Sequence, residues 1–300
     1  MIAKPRKPVV VGIGEVLWDL LPEGRRLGGA PANFAFHAQQ QGTTAFAVSA
    51  VGDDYDGQAI IDELVSRGLA TEYIAMVSAY STGTVSVELS DGIPSYKIHA
   101  PVAWDFIPWG EHLKTLAGLA DAVCFGTLAQ RNESSSATIQ RFLTHTRPDC
   151  LKVFDVNLRQ NFYNPELIET SLKLCDLLKI SDEELPKVAD LFGLNGTEDS
   201  IAAELLKMYN LIYLVLTKGK DGGILYYKDK VERVPAYDYG PRVDTVGCGD
   251  SFTSALTVGL LLGLPAEEAM THASRIAGLV CASHGAMPDI PHEYRLVMHK

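Results

Sequence analysis

Residues 244–256 read DTVGCGDSFTSAL. Two glycines, Gly247 and Gly249, bracket Cys248, and an acid, Asp250, follows at once. The apolar residues behind them recur at helical spacing. A helix start needs only one capping side chain. Two glycines around a small residue lower stability unless something must come close to that backbone. The unpaired amides of a first helical turn carry partial positive charge, and glycines let an anion reach them. An acid at the mouth of such a cradle repels phosphate. The conflict disappears if Asp250 accepts the proton of a hydroxyl while the neighbouring amides hold a phosphoryl group in transfer. On the residues alone, a plain N-terminal capping acid remains the alternative.

Outward from this stretch, short β-branched runs alternate with helical patterns. Strands are expected at 8–14, 44–52, 121–126, 151–157, 174–181 and 212–219, each arriving at polar or glycine-rich residues. Helices are expected at 32–42 and 57–68, both with a glycine stop. Continuous apolar strands separated by helices imply a mostly parallel sheet covered on both faces. One region differs. TGTVSVELSDGIPSYKIHA (82–100) alternates apolar and polar residues around a turn at Asp91-Gly92. It reads as a hairpin exposed on one face, either a cover for a cleft at the strand ends or a decorative edge.

The 300 residues are 47% hydrophobic and 21% charged, the balance of a globular protein with one or two domains. The formal charge is −11 without a basic cluster, which argues against a nucleic-acid partner. The opening MIAKPRKPVVVGIG and the apolar run near 256–264 are too short to span a bilayer, so no membrane partner is expected. Cys124, Cys150, Cys175, Cys248 and Cys281 form an odd set without CxxC spacing and are expected to be reduced thiols of a cytoplasmic protein. The usual nucleotide motifs fail. TKGKDGG (217–223) lacks the P-loop spacing, and GIGEVL has Leu17 where a dinucleotide loop needs glycine. Ser134, Ser135 and Ser136 lack a nucleophile elbow.

A second glycine cluster, LGGAPANFA (27–35), also follows a strand and opens a helix. Together, GGAPANFA and DTVGCGDSF resemble the two signatures of the ribokinase-like (PfkB) carbohydrate kinase family, in its fructokinase-type branch, in both order and separation. The resemblance covers nearly the whole chain. It implies one kinase domain over 1–300, a three-layer α/β/α core with a mostly parallel sheet, and a small β lid from about 15–28 and 82–105. It implies that Asp250 is the base and that the amides of Gly247, Cys248 and Gly249 form an anion hole. Cys248 stands where the family more often has alanine; only its N–H is needed. For the sugar, the resemblance assigns Asp19, Gly28, Gly29 and Asn33. It adds Asn157 and Arg159 from FDVNLRQNFY (154–163), whose alternation with Asp155 predicts projection from one side of an extended strand end.

On the nucleotide side KISDEE (179–184) aligns with the family's NxxE, with Ser181 replacing asparagine and Glu184 in the glutamate position, which the family uses to organise Mg²⁺ through water. Thr217, Gly219 and Gly222 match the segment that contacts ATP, and 275–287 should pass beside adenine. Asp244 and the carbonyls near Val246, Val280 and Gly285 match a site for a monovalent cation, potassium, found in many members. The lid strands of the family often pair between subunits, which implies a homodimer. The implied reaction is ATP-dependent phosphorylation of a sugar hydroxyl, fructose to fructose 6-phosphate. Ribose, 2-keto-3-deoxygluconate or a nucleoside are alternative acceptors; Trp104 and Trp109 are candidates for a nucleoside slot. A silent sugar or nucleotide sensor is the alternative of another class.

Overall fold

The computed structural model describes residues 6–22, 24–90, 93–241 and 243–296. The apolar run at the start of the chain forms β1 (Val9–Ile13), followed by β2 (Leu17–Leu21) and β3 (Gly24–Gly28). Then come α1 (Ala30–Gln40), β4 (Thr44–Gly52), α2 (Tyr55–Ser66), β5 (Ile74–Val77), β6 (Thr84–Ser90) and β7 (Ile93–Ile98). The middle of the chain supplies α3 (Glu111–Leu119), β8 (Ala122–Gly126), α4 (Glu133–Thr144), β9 (Leu151–Asp155), α5 (Pro165–Leu174) and β10 (Leu177–Ser181). The last third supplies α6 (Leu185–Leu191), α7 (Glu198–Tyr209), β11 (Tyr213–Thr217), β12 (Gly223–Tyr227), β13 (Lys230–Val234), α8 (Cys248–Leu261) and α9 (Ala266–Cys281).

Nine strands form the main sheet in the order β13-β12-β11-β10-β9-β8-β1-β4-β5. From β5 to β11 neighbours run parallel. Successive residues of β1 are buried on opposite faces: Val10 belongs to one apolar cluster and Val11 to the other. The first cluster holds Phe34, Leu64, Phe252 and Ile276, from α1, α2, α8 and α9. The second holds Leu116, Phe142, Leu172 and Leu205, from helices α3 to α7. Both faces of the sheet are therefore covered, and the expected three-layer α/β/α fold is what forms.

Two expectations shift. The strand expected from 174 begins at Leu177, because Leu174 closes α5, whose start is capped by the Asn164 side chain. The strand expected to run to 157 stops at Asp155, and Asn157 is left-handed at φ 43°. Asp155, Asn157 and Arg159 therefore do not alternate along one strand face. β12 and β13 add an antiparallel edge that the sequence reading did not anticipate.

The hairpin at 82–100 is present as β6 and β7, paired antiparallel; the expected turn at Asp91-Gly92 lies outside the described residues. With β2 and β3 it makes a second sheet of order β3-β2-β6-β7. Its root is fixed by a buried bidentate pair, Arg131 on Asp105 at 2.8 and 2.9 Å, with the guanidinium 4.0 Å over Trp104. Trp104 is wholly buried, and Trp109 packs on His145. Both rings are thus occupied in packing, which corrects their reading as a nucleoside slot. Among the described residues no helix is long and apolar enough to cross a membrane.

Candidate active site

The glycines of the opening stretch have different structural tasks. Gly247 caps α8 in the left-handed region, φ 78°. A Cβ there would meet Ala286 Cα and O at 2.7 Å. Gly247→Ala is therefore expected to destabilise the protein by about 1–3 kcal/mol or more, from strain plus the backbone clash; a urea unfolding curve checks this. Gly249 is helical, and a Cβ on it would stand 3.4 Å from Lys179 Nζ. A buried ammonium thus lies against the start of α8, adding full positive charge to the end that already carries the helix's partial charge.

Asp250 lies in the first turn of α8. Its Oδ2 accepts a 2.7 Å hydrogen bond from Nδ2 of Asn33 on α1, 217 residues away. The two glycine signatures therefore meet through a side-chain contact. Enclosure by protein, reinforced by the charge of Asp155, pushes the Asp250 carboxyl up to about 6; Asn33, Lys179 and Arg159 oppose this. Asn33 is itself buried, and its Oδ1 has no partner among the described residues. One side-chain amide thus orients the base and retains a free acceptor, as a hydroxyl-binding residue requires.

Gly29 is the N-cap of α1 at φ 116°, where a Cβ would stand 2.5 Å from the Glu15 carbonyl oxygen. Gly28 leaves room for Asp19, whose Oδ2 would be 2.5 Å from a Cβ at that position. Burial raises the Asp19 carboxyl above its ordinary value, and Arg159 partly offsets this. Arg159 is exposed, and its charge also acts on Glu15 and Asp250. Asp19, Asp250 and Arg159 are thereby brought to one region. Asn157 lines an enclosed cavity with Asp250, Thr253 and Glu15.

Asp155 turns inward. Its Oδ1 pairs with Lys179 Nζ at 3.0 Å and its Oδ2 accepts from Thr253 Oγ1 at 3.0 Å. Glu15 and Lys179 were missed by motif reading. The available signal was a charged residue placed inside an otherwise apolar, strand-like run: GIGEVL and LLKIS.

On the other side of α8's first turn lies a cleft of about 940 Å³. Ser181, Thr217, Gly219 and Gly222 line it together with Cys248 and Gly249. Ala277, Gly278 and Cys281 line it too, so the segment expected beside the adenine reaches it. Gly222 has φ 90°, and a Cβ there would meet the Val234 carbonyl at 2.0 Å, so its first duty is to the β12–β13 edge.

Glu184 accepts from the amides of Leu158 (2.7 Å) and Ser181 (2.9 Å), clamping the turn after β9 to the turn after β10. Asp182 and Glu183 line the cleft. Among the described residues no group of three or more His, Cys, Asp or Glu side chains could hold a metal ion. Asp182 and Glu183 are the carboxylates of the cleft wall that a phosphate-bound Mg²⁺ could reach through water. The backbone end of α8 in the cleft wall fits the phosphates themselves.

Asp244 accepts from Arg26 Nη1 at 2.8 Å, from the Val246 amide at 3.0 Å and from the Gly285 amide at 3.3 Å. Three of the four expected cation-site residues are thus adjacent. Any cation there shares Asp244 with a guanidinium. The Val280 carbonyl accepts from Ser283 N at the end of α9.

The reading of all five cysteines as reduced thiols needs correction. Cys248 and Cys281 form a disulfide, with Cα atoms 5.6 Å apart, that ties the start of α8 to the end of α9. They are 33 residues apart, so only the packing of α8 on α9 reveals them as partners. Cys124, Cys150 and Cys175 are free and buried.

Two glycine signatures converging on one carboxylate, beside a helix end in a nucleotide-sized cleft, suit phosphoryl transfer to a hydroxyl. The sequence profile of the pfkB family carbohydrate kinases matches residues 23–293. The chain belongs to the pfkB family of carbohydrate kinases. As a member it is an ATP-dependent sugar kinase. A fructokinase of Escherichia coli is 29% identical to it, over 96% of this chain and 98% of the relative. A Bacillus subtilis ribokinase is 27% identical over 88% of this chain and 84% of its own length. Among solved structures, that of a Pyrococcus horikoshii sugar kinase in complex with ATP shares 28% identity and superimposes with a TM-score of 0.76, covering 93% of this chain and 94% of the other. A Xylella fastidiosa fructokinase with bound ATP superimposes with a TM-score of 0.84 at 22% identity, with 95% of both chains covered, and so speaks to the fold.

Proposed function

We propose that this sugar kinase phosphorylates fructose to fructose 6-phosphate. The observation that carries the reading is the Asn33–Asp250 contact, which leaves Asn33 Oδ1 free for a hydroxyl at the end of α8 that faces the nucleotide cleft. The ionised Asp250 carboxylate takes the proton of the sugar hydroxyl. The hydroxyl oxygen forms its bond to the γ-phosphorus as the bond to the ADP oxygen breaks, and the proton stays on Asp250. The amides of Gly247, Cys248 and Gly249 and the Lys179 ammonium gather the charge of the group in transit. Asp19 accepts from further sugar hydroxyls, and Arg159 offers a second cation, whose charge acts on Asp250 and Asp19. Magnesium brought in with ATP would neutralise phosphate charge, with Asp182 and Glu183 of the cleft wall holding it through water.

The fructose assignment draws on relatives named fructokinase, including those of Escherichia coli and Klebsiella pneumoniae. Other relatives carry the names ribokinase and 5-dehydro-2-deoxygluconokinase, so the acceptor is what the assay must read. The second sheet acts as a lid that excludes water on closure, so that transfer to sugar outruns hydrolysis. A homodimer through that sheet, with Tyr96 exposed on it, completes the reading. A coupled ADP-release assay across fructose, ribose, 2-keto-3-deoxygluconate and nucleosides tests it. The highest kcat/KM is expected with fructose. Equal rates on all acceptors, or a stronger preference for another, defeats the assignment.

A further inference from the structure

Glu15 lies between β1 and β2, at the carboxyl end of β1, an interior strand of the main sheet. It is only 4% exposed. Its Oε2 has no partner among the described residues. The nearby Glu15 and Ala30 amides only partly offset the effect of burial on the carboxyl. Glu15 lines the same enclosed cavity as Asp250, Asn157 and Thr253. A buried polar atom without a partner is costly to keep unless a ligand satisfies it.

We propose that Glu15 is a second sugar-reading carboxyl: its Oε2–H donates a hydrogen bond to a sugar oxygen beside the hydroxyl that Asp250 deprotonates. The inference rests on the sugar-kinase reading of the site and adds a specificity-determining residue to it. The chemistry follows from the neighbours. Facing Glu15 are Asp250 from α8, Arg159 from the turn after β9, the Cys124 thiol from β8 and, across the cavity, Asp155. Asp250 must be ionised to act as base. Two buried carboxylates lining one small cavity disfavour each other's charge, so one is kept as the acid. Burial and the Asp250 charge push the Glu15 carboxyl up to about 7. With the proton that the pair retains on Glu15, the base is charged and Glu15 is a donor. A donor reads an oxygen that Asp19 and Asp250, as acceptors, cannot.

The test is the pH dependence of the sugar KM in the wild type, Glu15→Gln and Glu15→Asp. The wild-type KM is expected to rise above pH 7, approaching about tenfold per pH unit as the donor is lost. Glu15→Gln keeps an N–H donor that does not titrate, so its KM should stay flat from pH 6 to 9. Glu15→Asp should retain a pH-dependent KM. Glu15→Gln should also raise Tm at pH 8. The reason is that a carboxyl with a raised folded pKa loses stability as pH climbs from its unfolded value towards 7. A Glu15→Gln enzyme with the wild-type KM profile overturns the proposal, as does a lower Tm with unchanged KM, which assigns Glu15 to the framework. If Glu15→Gln does not fold, the wild type decides alone: a sugar KM flat across that range overturns it. A wild type that turns over no sugar fails the sugar-kinase reading first.

Discussion

Asp250→Asn is expected to lower kcat by roughly 10²–10⁴-fold, the scale of a lost general base, while the sugar KM changes by less than about threefold. The substitution keeps the shape of the side chain and a polar partner for Asn33 but removes the proton acceptor. The same carboxylate sets the acid limb of the wild-type pH profile. Its pKa is raised to about 6 by enclosure and by Asp155. The active form is the ionised one, so kcat should fall as pH drops through 6, tending to about tenfold per unit below it. Asp250→Asn should lack that limb. Steady-state kinetics from pH 5 to 9 on both enzymes check both statements. Near wild-type turnover in the variant would remove Asp250 from the chemistry and return it to a capping role.

What the sequence disclosed was what chain neighbours decide. GGAPANFA and DTVGCGDSF each carry their chemistry within one turn of a helix, so glycines, base and oriented amide were all readable in place. The parallel core was readable too, because β1, β4, β8 and β11 are apolar runs whose burial on both faces is written in their composition. What escaped depends on partners distant in sequence. Cys248 and Cys281 become a pair only when α9 folds back on α8. Asp155 looks like a site residue in DVNLR, yet the chain leaves the strand after it and Asn157 adopts a left-handed turn, sending the carboxylate to Lys179. Glu184 matches a motif position, but no motif shows that its two oxygens also clamp amides from two turns. In each case a residue type was right while its direction was set by tertiary contacts.

Lys179 gives the second large effect and separates architecture from electrostatics. It sits in β10 with only 8% exposure, paired to Asp155 at 3.0 Å, with its ammonium against Gly249. Lys179→Met is expected to destabilise the protein by about 3–5 kcal/mol, because it leaves the Asp155 charge buried without its partner. It should also lower kcat by about 10²-fold, since a preorganised positive charge near the transferring group is lost. One variant cannot tell these apart. The double variant Lys179→Met/Asp155→Leu can. Replacing both members of a buried pair with apolar side chains is often close to neutral for stability, so unfolding in urea should recover most of the loss. The kcat should not recover, because the cation is still missing from beneath the amide end of α8. Recovery of both quantities would confine Lys179 to holding β9, β10 and α8 together. Recovery of stability alone makes the ammonium part of the charge-gathering device that the opening DTVGCGD stretch only half encodes.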